Sequence, residues 1–305
     1  MDLHQIDSAL EAYQQTLGTS DKARLEFFRG LWALQQASLT RLVERGGEGL
    51  PSTALLRECQ EGRVPLLLLA PAVIDADELV VMLESCAAWV AANAGLAATS
   101  AEALKACDWR ALVAKSDLAL AGRDPGSWIE ETEREAAFAQ TASGQSAPFG
   151  IVLACALRPQ LEAVALAAHD GLTQAASADE AAHGRPRALR CPVCGGSAAA
   201  GYVGPVPSRD GSGRMLYCAL CGCSWEFERI RCACCGTHNQ GKLHYFHIEG
   251  DSAHRLHLCD ECGTYLRTTF VTELAMPFSF EVEDVVMARL DKLAHEERFS
   301  PQRKH

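Results

Sequence analysis

The chain has 305 residues, of which 48% are hydrophobic and 22% charged, and its formal net charge is −11. This balance is typical of a folded protein of one or two domains and excludes an intrinsically disordered chain. The acidic charge also argues against binding to nucleic-acid phosphates, because such binding needs a basic surface.

No uninterrupted apolar run reaches the roughly 18 to 20 residues that a membrane span requires, so we expect no membrane span. The N-terminal segment carries Asp2 and Asp7 without a basic residue or an apolar core. It therefore does not resemble a secretory signal, and we expect a cytoplasmic protein.

The first part of the chain is rich in Ala, Leu and Glu and shows repeated helix-start signals. Thr99 and Glu102 have the spacing of a capping box, and Asp124-Pro125 places a proline at a first helical position. We predict helices over residues 21–44, 77–92, 100–120, 125–140 and 148–168. Short connections between helices favour an antiparallel bundle.

The composition changes after residue 186, where Gly, Cys, Tyr and Val become frequent and turn sequences separate short apolar runs. This pattern predicts β-hairpins, and residues 281–298 return to the spacing of an amphipathic helix. The predicted fold class is therefore α+β. We predict a helical domain over 1–185 with a linker at 175–190, tandem ribbons within 186–272 (units 191–231 and 232–272), and a helix and tail over 273–305.

Ten of the 14 cysteines lie between Cys191 and Cys262, and eight of these form four Cys-x-x-Cys-Gly motifs. Two intervening residues allow a tight turn to direct both sulfurs at one ion, and glycine permits the backbone conformation that follows. The predicted metal ligands are Cys191, Cys194, Cys218, Cys221, Cys232, Cys235, Cys259 and Cys262. Tetrahedral sulfur sites suit zinc and iron alike, so these ligands predict two ions without choosing the metal.

The cysteine motifs form an internal repeat. Cys194 and Cys218 are separated by 23 residues, as are Cys235 and Cys259, so the first unit recurs 41 positions later. Such a repeat predicts two sequential four-cysteine sites, one per unit, and an interleaved arrangement is the weaker alternative. We assign no role to Cys223 and Cys234. The histidines of the second unit are expected to be solvated: His238, His244, His247, His254 and His257.

The sequence has no glycine-rich phosphate loop, no Gly-x-Ser-x-Gly elbow and no His-Glu-x-x-His motif. We therefore predict that the protein is not an enzyme and assign no catalytic residues.

The residues around the cysteines resemble the formate dehydrogenase accessory protein FdhE family over about residues 191–268. The resemblance rests on Cys191-Pro-Val-Cys194-Gly, 214–225 (RMLYCALCGCSW), 231–235 (RCACC), 259–266 (CDECGTYL) and, in the helical region, Ser146-Ala-Pro-Phe149. It implies a cytoplasmic protein needed for active formate dehydrogenase, which acts on the immature catalytic subunit before export. It also implies rubredoxin-like sites at the eight cysteines, with iron slightly preferred over zinc.

Two other functions stay open at this point. A rubredoxin-like protein would use iron in the same sites for electron transfer. A zinc ribbon that binds nucleic acid would use the same ligands, but the acidic charge makes it the weakest of the three hypotheses. Self-association is left open.

Overall fold

The computed structural model describes residues 1–45, 52–62, 64–138, 148–177, 187–206, 209–296 and 300–301. The helical region, the sheet region with two four-cysteine clusters and the helical C-terminal region that the sequence predicts are all present. The helices before the sheet are α1 (Leu3–Tyr13), α2 (Thr19–Glu44), α3 (Thr53–Gln60), α4 (Leu66–Leu69), α5 (Ala76–Asn93), α6 (Ala98–Ala106), α7 (Trp109–Lys115), α8 (Leu118–Arg123), α9 (Pro125–Phe138) and α10 (Phe149–Ser177).

Helix α10 is the centre of the helical region and packs against α2, α3, α5 and α9. Its inward side chains, among them Val152, Leu153, Leu157 and Leu161, are completely buried. Burial of each such side chain contributes roughly 1.5–3 kcal/mol, so this helix accounts for a large share of the core.

The single helix predicted over residues 100–120 is wrong. Three short helices, α6, α7 and α8, occupy this stretch because two aspartates start new helices within it. The Asp108 carboxylate accepts the Ala111 N–H, and the Asp117 carboxylate accepts the Leu120 N–H. Such N-caps satisfy donors that a continuous helix would have used internally. The capping box at Thr99 is also wrong, since α6 already begins at Ala98.

Helix α10 is longer than predicted, and the segment expected to be a linker begins inside its last turn. Beyond residues 178–186, which lie outside the described part of the chain, residues 187–190 contact the sheet region. The Trp225 indole N–H donates to the Ala188 carbonyl at 2.9 Å, and the Arg231 guanidinium donates to the Arg187 carbonyl at 2.8 Å.

One helix in the described part of the chain, over Phe149–Leu172, is long and apolar enough to cross a membrane by length and composition. No uninterrupted apolar run marks this helix in the sequence, because Arg158 and Glu162 lie within it. Within the fold, 61% of its apolar window is buried. Such burial is typical of a core helix.

The sheet contains β1 (Ala200–Val206), β2 (Arg209–Tyr217), β3 (Ser224–Phe227), β4 (Leu243–Phe246), β5 (His254–Cys259), β6 (Thr264–Phe270) and β7 (Ser300–Pro301). The order is β3-β2-β1-β6-β5-β4, and β7 pairs with β6. Each repeat unit forms a three-stranded antiparallel meander. The two meanders join through parallel pairing of β1 with β6, in the register Tyr202 to Thr269. The repeat units therefore share one continuous sheet.

The C-terminal helix is divided into two. Helix α11 (Phe280–Val286) passes through a 3₁₀ turn at Met287–Arg289 into α12 (Leu290–Glu296). Met287 and Leu290 are completely buried against the second repeat unit, while Val282 packs against α1 and α2. The C-terminal segment thus links the sheet with the helical region.

Arg158 joins three parts of the fold from the middle of α10. Its guanidinium donates to Glu162 at 3.0 Å, to the Tyr217 hydroxyl on β2 at 2.8 Å and to Glu281 on α11 at 2.8 Å. The Met1 amino group also contacts Glu162. The Arg158 side chain is only 7% exposed, so these ion pairs lie in the interior of the protein.

A second buried polar network surrounds His254 on β5. The His254 residue is 4% exposed. Its ring meets Asp251 at 2.8 Å and Glu283 at 2.8 Å, and the Tyr13 hydroxyl lies 3.0 Å from its Nε2. Arg289 pairs with Asp251 from the opposite side. Burial alone would lower the pKa of His254, but hydrogen bonds from its ring to the two carboxylates raise it to about 9.

Stability is expected to fall as the pH rises from about 6.5 to about 9, because the pKa of His254 is higher in the folded than in the unfolded protein. The contribution of the imidazolium is complete below pH 6.5 and is on the order of 3 kcal/mol. His254→Gln should abolish this dependence, measured as the free energy of unfolding by urea at a series of pH values. His244→Gln changes an exposed histidine that pairs with Asp260 and should retain it; an equal slope in wild type and His254→Gln would contradict the assignment.

Candidate metal centres

Each Cys-x-x-Cys-Gly motif forms the same tight turn. The glycine N–H donates to the carbonyl of the first cysteine at 2.9–3.1 Å in all four motifs. The four glycines have positive φ: Gly195 at 75°, Gly222 at 71°, Gly236 at 77° and Gly263 at 65°. A residue with a Cβ is disfavoured in this left-handed region, which is why glycine follows each cysteine pair.

The sulfur atoms gather into two clusters, one from each repeat unit. The first cluster contains Cys191, Cys194, Cys218 and Cys221, and the second contains Cys232, Cys235, Cys259 and Cys262. All ligand atoms within a cluster lie within 4.8 Å of one another. The grouping is therefore sequential, and the interleaved alternative does not occur.

The separations within each cluster suit one tetrahedral ion. In the first cluster, Cys191 Sγ lies 3.5 Å from Cys221 Sγ, and Cys194 Sγ lies 3.5 Å from Cys218 Sγ. The corresponding distances in the second cluster are 3.7 and 3.8 Å. A tetrahedron with metal–sulfur distances of about 2.3 Å has edges of about 3.8 Å. Four thiols at this spacing could hold zinc or iron, and the geometry does not distinguish the two.

In each cluster one thiol has a pKa below its usual range. Burial disfavours the Cys191 thiolate, but hydrogen bonds from neighbouring thiols hold the pKa of Cys191 well below its usual range. In the second cluster, burial raises the pKa of Cys262. Hydrogen bonds from the Thr264 hydroxyl, 3.0 Å from Cys262 Sγ, from the Thr264 N–H and from neighbouring thiols together lower it to about 7. Thiolates are the form that binds a metal ion.

The first cluster is buried between the sheet and the helical region. Its four cysteines are at most 6% exposed. The N–H groups of Leu66 and Leu67 in α4 donate to the carbonyls of Pro192 and Val193 at 2.8 and 3.0 Å. These hydrogen bonds hold the first cysteine turn against α4, so a metal ion here would connect the two regions.

The second cluster lies at the surface. Cys235 is exposed and Cys262 half-buried, while Cys232 and Cys259 are buried. The N–H groups of Cys234 and Cys235 approach Cys232 Sγ at 3.4 and 3.5 Å. The two clusters therefore have the same ligands and turns but different access to solvent.

Loaded with two equivalents of zinc, the protein is expected to release them to a chromogenic chelator in two phases. The second cluster should lose its ion at least about tenfold faster, because a chelator can approach Cys235 directly whereas access to the first cluster requires local opening. Cys235→Ser should remove the fast phase, and Cys107→Ser, at a half-buried cysteine outside both clusters, should leave both phases unchanged. A single phase in the wild-type protein would contradict the difference in access.

Other predicted residues lie outside the two clusters. Cys223 is 7% exposed beside the first cluster, and Cys234 is half-buried beside the second. The expectation that all five histidines are solvated is wrong for His254, which is buried, and for His257, whose Nε2 is buried without a hydrogen-bond partner among the described residues. Both lie on β5, and their burial depends on the neighbours of that strand, which the sequence does not show.

Sequence reasoning also missed a cavity of about 240 Å³ beside the second cluster. It is lined by Arg214, His257 and Tyr245 and by the cluster residues Cys232 and Cys259, among others. The lining residues come from β2, β4, β5, β6 and the segment between β3 and β4, so no local pattern in the sequence could have brought them together.

Comparisons with known proteins give partial sequence matches and a likeness of the overall fold. No family model matches the chain. The FdhE homolog of Stutzerimonas stutzeri (strain A1501) is 32% identical over 113 residues, or 37% of this chain and 36% of that protein. The FdhE protein of Escherichia coli O1:K1 is 36% identical over 81 residues, or 26% of this chain and 25% of that protein. These matches thus span only about a quarter to a third of the curated relatives.

The fold comparison extends over almost the whole chain. The crystal structure of the FdhE protein from Pseudomonas aeruginosa superposes with a TM-score of 0.54 and 20% sequence identity, covering 98% of this chain and 93% of that chain. At this identity the likeness concerns the fold, which includes the helical region and the sheet.

Proposed function

We infer that this protein has the function of the FdhE family. The partial matches to curated FdhE proteins and the fold shared with a solved FdhE structure support this inference. The protein is proposed to be a cytoplasmic accessory protein that is needed for formate dehydrogenase activity and binds the immature catalytic subunit. The observation that carries this proposal is the pair of four-cysteine clusters on a shared sheet, in the part of the chain that resembles the family.

In this proposal the eight clustered cysteines bind two metal ions, with iron slightly preferred over zinc, and the protein catalyses no reaction of its own. The first ion would hold the sheet against the helical region. The second would hold the exposed ribbon, and the two regions together would present the surface that binds the catalytic subunit.

Affinity capture from the native cytoplasm without oxygen tests the proposal. We expect a formate dehydrogenase catalytic subunit to co-purify and to be identified by mass spectrometry. Deletion of the gene should lower formate dehydrogenase activity and leave other respiratory enzymes active. Unchanged formate dehydrogenase activity in the deletion strain would contradict the proposal.

Matched variants separate a role of the ribbons from general unfolding. Cys232→Ser/Cys235→Ser alters the exposed second cluster and should reduce recovery of the catalytic subunit. Cys59→Ser/Cys107→Ser changes two cysteines of the helical region outside both clusters and should not. Equal recovery with both variants would contradict a role of the second cluster in binding.

Electron transfer is the second candidate function, and the exposure of Cys235 favours it because a redox partner could approach the second cluster closely. It requires iron that is reduced and reoxidised reversibly, which visible spectroscopy during anaerobic titration with a reductant would detect. Recovery of zinc alone from protein purified without added metal would contradict electron transfer and leave the accessory function intact.

A further inference from the structure

The residue that follows the second Cys-x-x-Cys-Gly motif of each repeat unit lies beside a ligand of that unit's cluster. This residue is Thr264 in the second unit, and Cys223 occupies the equivalent position, 41 residues earlier, in the first. Thr264 is the first residue of β6 and pairs with the ligand Cys259 on β5. The sheet therefore fixes its backbone next to the second cluster.

The Thr264 hydroxyl contacts a ligand sulfur. Its Oγ1 lies 3.0 Å from Cys262 Sγ, and Thr264 is only 5% exposed. A cysteine that binds a metal ion is a thiolate, which accepts hydrogen bonds and donates none. With an ion bound, the hydroxyl is therefore the donor. Cys234 is also within hydrogen-bonding reach of Thr264, but a thiol is a weak donor.

The first cluster has a different neighbour at this position. Cys223 is 7% exposed, and its thiol lies 3.7 Å from the Ser224 carbonyl. It also approaches the ligand Cys191, but a thiol donates a weaker hydrogen bond than a hydroxyl does. The repeat therefore places the stronger donor beside the second cluster and the weaker donor beside the first.

Hydrogen bonding and solvent access both affect a metal ion that is bound by thiolates. A ferrous site with four cysteines carries one more negative charge than a ferric site, so donors to the sulfurs and contact with water favour the reduced form. The second cluster has the Thr264 hydroxyl and the exposed Cys235, whereas the cysteines of the first cluster are at most 6% exposed. Both differences act toward a higher reduction potential at the second site.

We propose that Thr264 is a positioning residue of the second metal site. Its hydroxyl donates to the Cys262 thiolate, holds this sulfur in place and raises the reduction potential of the second site above that of the first. The proposal rests on metal binding by the two clusters, which is part of the proposed function, and does not depend on the protein partner.

The first test compares full-length variants in which both clusters are loaded with cobalt(II) under anaerobic conditions. Thr264→Val keeps the shape of the side chain but removes the hydroxyl, whereas Thr264→Ser retains the hydroxyl. Loss of the hydrogen bond raises the energy of the sulfur electrons, so Thr264→Val should shift the sulfur-to-cobalt charge-transfer absorption to longer wavelength. The affinity of the second site for cobalt, measured by competition with a chelator, should also fall about tenfold. Thr264→Ser should match the wild-type protein in both measurements.

Thr268→Val is the matched control. Thr268 lies on the same strand and is completely buried, and its hydroxyl donates to the Leu266 carbonyl at 3.4 Å. Neither the absorption nor the cobalt affinity should change in this variant. In a Cys235→Ser background, which removes a ligand of the second site, Thr264→Val should leave the absorption of the first site unchanged. A shift in that background would overturn the proposal, because Thr264 would then act outside the second site.

Metal analysis and circular dichroism show whether each variant is loaded and folded. Equal absorption and affinity in Thr264→Val and the wild-type protein would overturn the proposal. Equal effects of Thr264→Val and Thr264→Ser would also overturn it and indicate a packing role. If Thr264→Val loses the second ion, Thr264→Ser should still retain it, and loss in both variants would exclude a role of the hydroxyl. Failure of the wild-type protein to bind two ions would contradict the metal binding in the proposed function itself.

Reconstitution with iron tests the order of the two potentials. Dithionite, which is oxidised to sulfite, gives one electron to each ferric ion, and the visible absorption of the ferric sites should disappear in two steps. Thr264→Val should lower the potential of the earlier step only, since the second site is reduced first. A single step in the wild-type protein, or a shift of the later step in Thr264→Val, would overturn the assignment.

Discussion

Replacing Cys191 and Cys194 together by serine is expected to remove one metal ion and to destabilise the whole protein. The first cluster is buried, and its turn is hydrogen-bonded to α4 through Leu66 and Leu67. A structural zinc site contributes about 10–16 kcal/mol to the folding of small metal-binding peptides, which exceeds the net stability of most domains. We expect a large fall in the melting temperature and rapid proteolysis of both regions.

The matched variant is Cys232→Ser/Cys235→Ser, at the equivalent positions of the repeat. Metal analysis should again show loss of one ion, but the helical core, which does not include these ligands, should remain folded by circular dichroism. The first cluster should keep its four thiolates. A similar loss of helical structure in both variants, or a surviving mixed shell of Cys218 and Cys259, would contradict the two separate sites.

Arg158→Leu is expected to lower the free energy of unfolding by about 3–5 kcal/mol, because it leaves the buried Glu281 carboxylate without a cation and Glu162 with only the Met1 amino group. Glu162 is 3% and Glu281 12% exposed, and both contact the Arg158 guanidinium. The loss should appear in urea denaturation as a lower midpoint with an unchanged slope.

Arg110→Leu provides the control for Arg158→Leu. Arg110 pairs with Asp77 at 3.0 Å on the surface, where both side chains are more than half exposed, and its loss should cost well under about 1 kcal/mol. Replacing Arg158 and Glu281 together by leucine should recover much of the lost stability, since Glu162 keeps the Met1 amino group and a well-packed apolar pair can replace a buried ion pair. Equal effects of Arg158→Leu and Arg110→Leu would contradict the importance of the buried network.

Local features of the fold were predictable from the sequence. Helix α2 begins two residues before the predicted position and ends at the predicted Glu44. Its bounds were predictable because the apolar spacing and the end signals of a helix lie within a few turns of the chain. Helix α9 likewise begins at Pro125. The single helix predicted over 100–120 was wrong for a reason that is also local. Asp108 and Asp117 cap new helices in this stretch, although most residues around them favour a continuous helix.

The sequence by itself determined the candidate metal ligands and their grouping, because two cysteines and a glycine form a turn without help from distant residues and the 41-residue repeat pairs the turns. Only the tertiary structure decided that the two units share one sheet, through pairing of β1 with β6, and that one cluster is buried while the other is partly exposed. It also decided the partners of Arg158 and His254. These contacts join residues far apart in the chain, and their free energy depends on burial and charge that no local pattern contains.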